Sequence, residues 1–137
     1  SDHCRPCDRQ SAGCLTGLWV KDITDEGIWD ALLHRRTFAT NGRRMNVRLS
    51  ADGAKLGQRV KVNGSVDVHW QVAASANLHS ISIYRNGHVI EQKTEMQGPT
   101  AEATFQHQPP GAEETSYFIV ARTDDDGVLI SSPLWVR

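Results

Sequence analysis

Apolar and polar residues alternate one by one along much of the chain after residue 44. The clearest runs place apolar residues at Met45, Val47, Leu49, Val66, Val68, Trp70 and Val72. Because successive side chains of a β-strand point to opposite faces, this alternation predicts strands with one buried and one solvated face. About seven such short segments, separated by turn residues, are typical of a two-sheet β-sandwich of immunoglobulin-like size.

The sequence predicts the position of one turn. The strand-forming residues 81–85 are followed by Asn86-Gly87 and then by His88, Val89 and Ile90. Asn and Gly tolerate the positive φ that a two-residue hairpin turn requires. A β-hairpin with its turn at Asn86-Gly87 is therefore expected.

The N-terminal part has a different pattern. After a short strand-forming run from Gly17 to Ile23, Thr24 offers an N-cap and acidic residues follow it, so a helix is expected from Thr24 to Arg36. Its apolar residues form one stripe, composed of Ile28, Trp29, Leu32 and Leu33. We expect this stripe to pack against the sheet or against a neighbouring molecule, because an exposed apolar patch promotes aggregation.

The change of pattern divides the chain into residues 1–44, a loop, strand and helix, and residues 45–137, a β-sandwich domain. The fold class is therefore mainly β. A segment of 44 residues is too small to fold alone without a metal or a partner.

Charge and motifs narrow the classes of function. Fifteen basic and sixteen acidic residues leave a formal net charge of -1, which argues against nucleic acid and membrane surfaces as partners. No window approaches the roughly 20 apolar residues of a membrane helix. A phosphate-binding glycine loop, a Ser-His-Asp order and a nucleophile elbow are all missing, so no catalytic residue is assigned.

Two sets of residues could bind a metal on their own. His3, Cys4, Cys7 and Cys14 have the number of ligands of a structural Cys₃His zinc site, although only one C-x2-C pair is present and free thiols in a loop are the simpler interpretation. The second set comprises His69, His79, His88 and His107. Each is expected at a solvent-facing position, where an isolated histidine needs no function.

Two motifs at opposite ends of the chain carry a resemblance to a known family. The first runs from Gly17-Leu18-Trp19-Val20 through the helix to Phe38-Ala39-Thr40-Asn41-Gly42-Arg43, and the second is Ser131-Ser132-Pro133-Leu134-Trp135-Val136. Together they resemble the closing segment of metal-dependent hydrolases of the PHP (polymerase and histidinol phosphatase) superfamily, in its carbaryl-hydrolase-like branch.

The resemblance implies that the chain is the C-terminal region of a longer enzyme. Residues 1–44 would then be the end of a catalytic α/β barrel, and Asp2 and His3 its last metal ligands. The parent enzyme would use zinc, manganese or iron to activate water for hydrolysis of a phosphoester, ester or carbamate. The expected partner is the N-terminal catalytic barrel of the same polypeptide, with self-association when that barrel is missing.

In this interpretation the sandwich is a structural accessory domain, and the chain alone is expected to hold no metal and to be inactive. The alternative is a free-standing immunoglobulin-like module that binds a protein or glycan through loops such as Gln97-Gly98-Pro99.

Overall fold

The computed structural model describes residues 14–94, 96–108 and 113–137 of the 137-residue chain. Helix α1 spans Asp25–Leu33. Strands β1 to β12 span, in chain order, Leu15–Leu18, Thr37–Thr40, Met45–Ala51, Ala54–Lys55, Arg59–Val60, Val66–Ala74, Leu78–Arg85, His88–Thr94, Thr100–His107, Thr115–Thr123, Val128–Ser131 and Leu134–Val136. The described part is mainly β, as the alternating pattern predicts.

The smaller sheet has four antiparallel strands in the order β4-β3-β6-β9. Strands β3 and β6 pair along their length, and the register places Leu49 opposite Trp70. The predicted inward residues of both strands are buried apart from Val66, which is half-buried, whereas Arg48 and His69 lie on the outer face. The alternation therefore predicted the faces of these strands correctly.

The larger sheet has eight strands and is centred on β10. Strand β7 lies between β10 and β8 and pairs with both. On the other side of β10, β11 pairs with one half of the strand and β12 with the other half. The short break at Ser132-Pro133 separates β11 from β12.

The connections between the two sheets are those of an immunoglobulin-like sandwich. Among the long strands, β3, β6 and β9 form one sheet, whereas β7, β8, β10 and β11 with β12 form the other. Immunoglobulin-like domains divide their strands in this way. The buried side chains of both sheets form one core, which confirms the prediction of a β-sandwich.

The expected turn at Asn86-Gly87 is confirmed. Arg85 and His88 are paired across it, and Asn86 and Gly87 have φ angles of 50° and 82°. A similar turn, at Asp52-Gly53 between β3 and β4, was not predicted; its φ angles are 47° and 82°.

The described part of the N-terminal segment is joined to the sandwich by main-chain hydrogen bonds. Strand β1 pairs with β2, and β2 pairs with β11 at the edge of the larger sheet. Whether residues 1–44 also belong to a second domain, a catalytic barrel, stays a prediction. Helix α1 connects β1 and β2, and no helix in the described ranges is long and apolar enough to span a membrane.

Candidate functional site

The metal ligands expected from the sequence lie at the N-terminus. Asp2 and His3 lie outside the described residues, as do Cys4 and Cys7. Cys14 is exposed at the start of the described chain. Within residues 14–94, 96–108 and 113–137, no group of three or more His, Cys, Asp or Glu side chains could hold a metal ion. Metal binding near the N-terminus stays a prediction.

The four histidines of the β region lie apart. His69 is on the outer face of the smaller sheet, where its Nδ1 is 2.6 Å from the Thr104 hydroxyl. His79 is exposed on β7, with its Nδ1 3.4 Å from an Asp124 carboxylate oxygen. His88 is exposed at the start of β8. The hypothesis of a shared histidine site is therefore not supported.

His107 is buried, although a solvent-facing position was expected for it. It is only 1% exposed and lies in the core, where its Nδ1 hydrogen bonds the Tyr117 hydroxyl across the two sheets. The expectation was wrong because Thr104 and Gln106 face outward on β9, which leaves His107 on the inner face. Its Nε2 is buried without a hydrogen-bond partner among the described residues.

Burial changes the acid-base behaviour of this pair. Loss of solvent lowers the pKa of His107, with a smaller contribution from the positive charge of Arg85. Burial also raises the pKa of Tyr117, although Arg85 partly opposes that shift. His107 therefore favours its neutral form in the folded protein.

Helix α1 is well terminated at both ends. The Thr24 hydroxyl accepts a hydrogen bond of 3.0 Å from the Gly27 amide, which satisfies one free donor of the first turn. At the other end Arg35 has a φ of 56°, and the amides of Arg35 and Arg36 donate to the carbonyls of Leu32 and Ala31. This is the Schellman arrangement, with arginine where glycine is usual.

The apolar face of α1 is solvent-exposed, contrary to the expected packing against the sheet. Ala31 is the only residue of the helix that is buried. The exposed face, which we call the α1 face, is 36–63% exposed and consists of Ile28, Trp29, Leu32 and Leu33. The periodicity identified this face correctly, but the sandwich already fills its own core and leaves the α1 face uncovered.

A second surface feature is a groove of about 440 Å³ beside Trp19. The Trp19 indole donates a hydrogen bond of 2.8 Å to the Val47 carbonyl, which fixes the ring against β3. The Arg48 guanidinium lies over the ring, 4.1 Å from its centroid. The residues that line this groove, called the Trp19 groove below, include the cations Lys21, Arg36, Arg48 and Lys55 and no carboxylate.

Sequence reasoning missed the Trp19 groove. Its cations come from four separate segments, two flanking α1 and two on the first hairpin of the smaller sheet. No local motif joins them. The strands next to α1 belong to the larger sheet and the hairpin to the smaller one, so the packing of the two sheets and the Trp19–Val47 hydrogen bond bring these segments together.

The outer face of the smaller sheet forms a shallow polar depression of about 470 Å³. Cross-strand pairing aligns Arg48, Gln71 and Glu102 in one row. The next row contains Ser50, His69 and Thr104. The depression is lined mostly by polar side chains on regular strands, among them the exposed, hydrogen-bonded pair of His69 and Thr104.

These features define a mainly antiparallel β-sandwich with an exposed amphipathic helix and a cationic groove. By sequence, the chain belongs to the DUF3604 family, whose description is "Protein of unknown function" and whose match covers residues 3–71, about half of the chain. The match includes α1 and ends within β6.

The curated relatives are considerably longer than this chain. Uncharacterized proteins of Chlamydia muridarum and Chlamydia trachomatis serovar D are each 25% identical over 138 aligned residues. A Chlamydia pneumoniae protein is 24% identical. In every case the alignment covers 89% of this chain but 22% of the relative, so the chain spans about a fifth of their length.

Two solved structures are similar over part of the chain. The fibronectin(III)-like modules of Clostridium thermocellum CbhA have a TM-score of 0.43 and 17% identity, covering 64% of this chain and 93% of that one. A Jonesia denitrificans lytic polysaccharide monooxygenase has a TM-score of 0.41 and 12% identity, covering 63% of each chain. The assignment of the sandwich therefore comes from the strand pairing described above.

Proposed function

We propose that this chain is an accessory immunoglobulin-like module that docks through the α1 face onto the remainder of a longer DUF3604 polypeptide. The observation that carries the proposal is the exposure of Ile28, Trp29, Leu32 and Leu33 on one side of a capped helix. The function of the module is to bind the remainder of the polypeptide and stabilise it.

The energetics favour a partner for this face. Complete burial of one large apolar side chain contributes roughly 1.5–3 kcal/mol, and the α1 face keeps a substantial part of four such side chains in water. Both helix ends are already capped, so docking requires little further ordering of the backbone. The α1 face is thus prepared for an apolar contact.

The relatives support the choice of partner. In the Chlamydia proteins the aligned region is joined to a remainder several times its size. Helix α1 lies inside the segment that matches the family. A contact between this region and the remainder within one polypeptide is the simplest way to cover it.

Metal-dependent hydrolysis is proposed only for the longer protein. It is supported by the resemblance of the two terminal motifs to PHP-superfamily hydrolases. Residues Asp2 and His3 would contribute to its metal site, and zinc, manganese or iron would activate the attacking water. The module would then hold the end of the catalytic barrel in place.

The alternative, a free-standing module for a protein or glycan, would use the polar depression or the loop at Gln97. That loop is fixed to the sandwich, since the amides of Ala74 and Leu78 donate to the carbonyls of Pro99 and Gly98 at 2.8 and 2.9 Å. We favour docking through α1 because the α1 face groups four of the nine exposed large hydrophobic side chains of the described residues on one side of a helix.

Sedimentation velocity on chain 1–137 tests the proposal. A face intended for another surface should cause weak, concentration-dependent association, and the double substitution Trp29→Gln/Leu33→Gln should abolish it. Because both side chains are exposed, the variant should keep its free energy of unfolding within about 0.5 kcal/mol of the original. As a matched control, Val89→Gln changes an exposed apolar residue on β8 and should leave the association intact.

Two outcomes would contradict the proposal. A chain that stays strictly monomeric at millimolar concentration has no adhesive α1 face. A tight dimer formed through α1 would make a second copy of the chain the true occupant.

A further inference from the structure

We propose that the Trp19 groove binds a small, multiply charged oxyanion of phosphate or carboxylate chemistry. The inference is independent of the docking role, since the Trp19 groove shares no residue with the α1 face.

The charges of the groove are unbalanced. Arg36 is paired with the Asp30 carboxylate, which leaves Lys21, Arg48 and Lys55 without a carboxylate partner among the described residues. Gathering like charges around a concave surface raises its positive potential. An anion in the groove would be attracted by all three groups at once.

The groove also has a preorganised element. Stacking on Trp19 restricts the Arg48 guanidinium, and the hydrogen bond from the indole to Val47 fixes the ring in turn. A guanidinium held in one plane presents its donors as a fork that matches the geometry of phosphate and carboxylate oxygens. Lys21 and Lys55 supply adaptable charges from the other segments.

The dimensions indicate a small ligand. A volume of about 440 Å³ is within the usual range for small-molecule sites. Nucleic acid is disfavoured because the formal net charge is -1. One face of Trp19 is already covered by Arg48, and Phe38 packs beside the ring with its centroid 6.2 Å away, so base stacking has little room. The ligand would be recognised by its charge.

Calorimetric titration of chain 1–137 with tripolyphosphate and, separately, with citrate tests the site. Binding should be weakened about tenfold by Lys21→Gln/Lys55→Gln, because two favourable charges are lost, and it should weaken as salt rises. Lys61→Gln is the control, since Lys61 is an exposed lysine outside the groove. The affinity of this variant for the anion should change less than about twofold. Tighter binding of one anion identifies the preferred chemistry.

NMR spectra locate the bound anion and monitor folding. The indole proton of Trp19 should shift on titration of the original chain, whereas that of Trp29 should not. Unchanged thermal unfolding midpoints would show that the variants are folded. The proposal is overturned if millimolar tripolyphosphate and citrate both fail to bind, or if Lys61→Gln weakens binding as much as the double substitution.

Discussion

Gly57 illustrates how one residue can position a whole helix. Its φ is 84°, and a Cβ atom at this position would lie 2.2 Å from the Arg35 carbonyl oxygen at the end of α1. The Arg35 side chain in turn donates a hydrogen bond of 2.9 Å to the Gly57 carbonyl. The helix end therefore approaches the backbone where only glycine fits.

We predict that Gly57→Ala lowers the free energy of unfolding by at least about 3 kcal/mol, through both left-handed strain and a backbone clash. Gly53→Ala is the matched control, because its φ is 82° and a Cβ there would meet no atom within 4 Å. It should cost only about 1 kcal/mol. Urea denaturation measures both, and equal losses would argue against the close contact.

His107 gives the fold a pH dependence. Because its pKa is lowered by burial, the folded state binds fewer protons than the unfolded state below the ordinary histidine pKa. Stability is therefore fully present above about pH 6.5 and falls as the pH decreases, by at most about 1.4 kcal/mol per pH unit from this group.

Urea denaturation at pH 7.5 and pH 5.5 measures this effect. His107→Gln should show a smaller loss of stability between the two pH values than the original chain. His88→Gln, which changes an exposed histidine, should keep the original loss. If His107→Gln retains the full pH dependence, His107 is not its source.

The sequence predicted single residues where the local pattern is regular. Val68 and Trp70 were assigned correctly because their strand alternates without interruption. His107 was not. The alternation through Ala103 and Phe105 does place it on the inner face, but its polar residue type at the end of β9 favoured a solvent-facing assignment. Its partner Tyr117 comes from the other sheet, and no local pattern reveals such a contact.

Among the elements, the β7–β8 hairpin depends most on its turn. Asn86 has a φ of 50°, and its carboxamide oxygen accepts a hydrogen bond of 3.0 Å from the Ser116 amide at the start of β10. The side chain thus joins the turn to a neighbouring strand.

Asn86→Ala should lower the free energy of unfolding by about 2 kcal/mol, since it removes this hydrogen bond and places alanine in the left-handed region. Asn86→Gly loses only the hydrogen bond and should cost about 1 kcal/mol. Chemical denaturation distinguishes the two values. A loss for Asn86→Gly as large as that for Asn86→Ala would contradict the role of backbone strain.

Helix α1 shows which parts of an element can be predicted locally. Its N-cap at Thr24 and its apolar stripe follow from residue types and a period of 3.6, and both are present. The predicted C-terminal boundary at Arg36 was three residues too late because Arg35 adopts a left-handed conformation that its residue type does not reveal. The contacts of the stripe cannot be predicted locally, because they depend on a surface outside the helix.

For the whole molecule, the fold class was accessible from the sequence, but the strand count and the edge of the larger sheet were not. About seven strands were expected after residue 44, and the described part of that region has ten, β3 to β12. The pairing of β2 with β11 joins residues about ninety positions apart, and neither strand carries a signal for the other. The Trp19 groove likewise joins segments, between Trp19 and Gln58, that no local pattern links.

Chain 1–137 is predicted to hydrolyse neither p-nitrophenyl phosphate nor a naphthyl carbamate above background, with zinc, manganese or iron supplied. Water activation requires a metal held by several preorganised ligands, and Asp2 and His3 supply only two. Colorimetric assays measure the turnover. Metal-dependent activity that Asp2→Ala abolishes would show that the module is itself catalytic.

The central claim is that the α1 face is a docking surface within a longer protein. A structure of the intact Chlamydia trachomatis relative tests it most directly, through the exposure of the apolar side chains on the helix that aligns with α1. We predict that they are buried against the remainder of that polypeptide, less than about a tenth exposed. Side chains that remain as exposed as Trp29 and Leu33 are in this chain would contradict the claim.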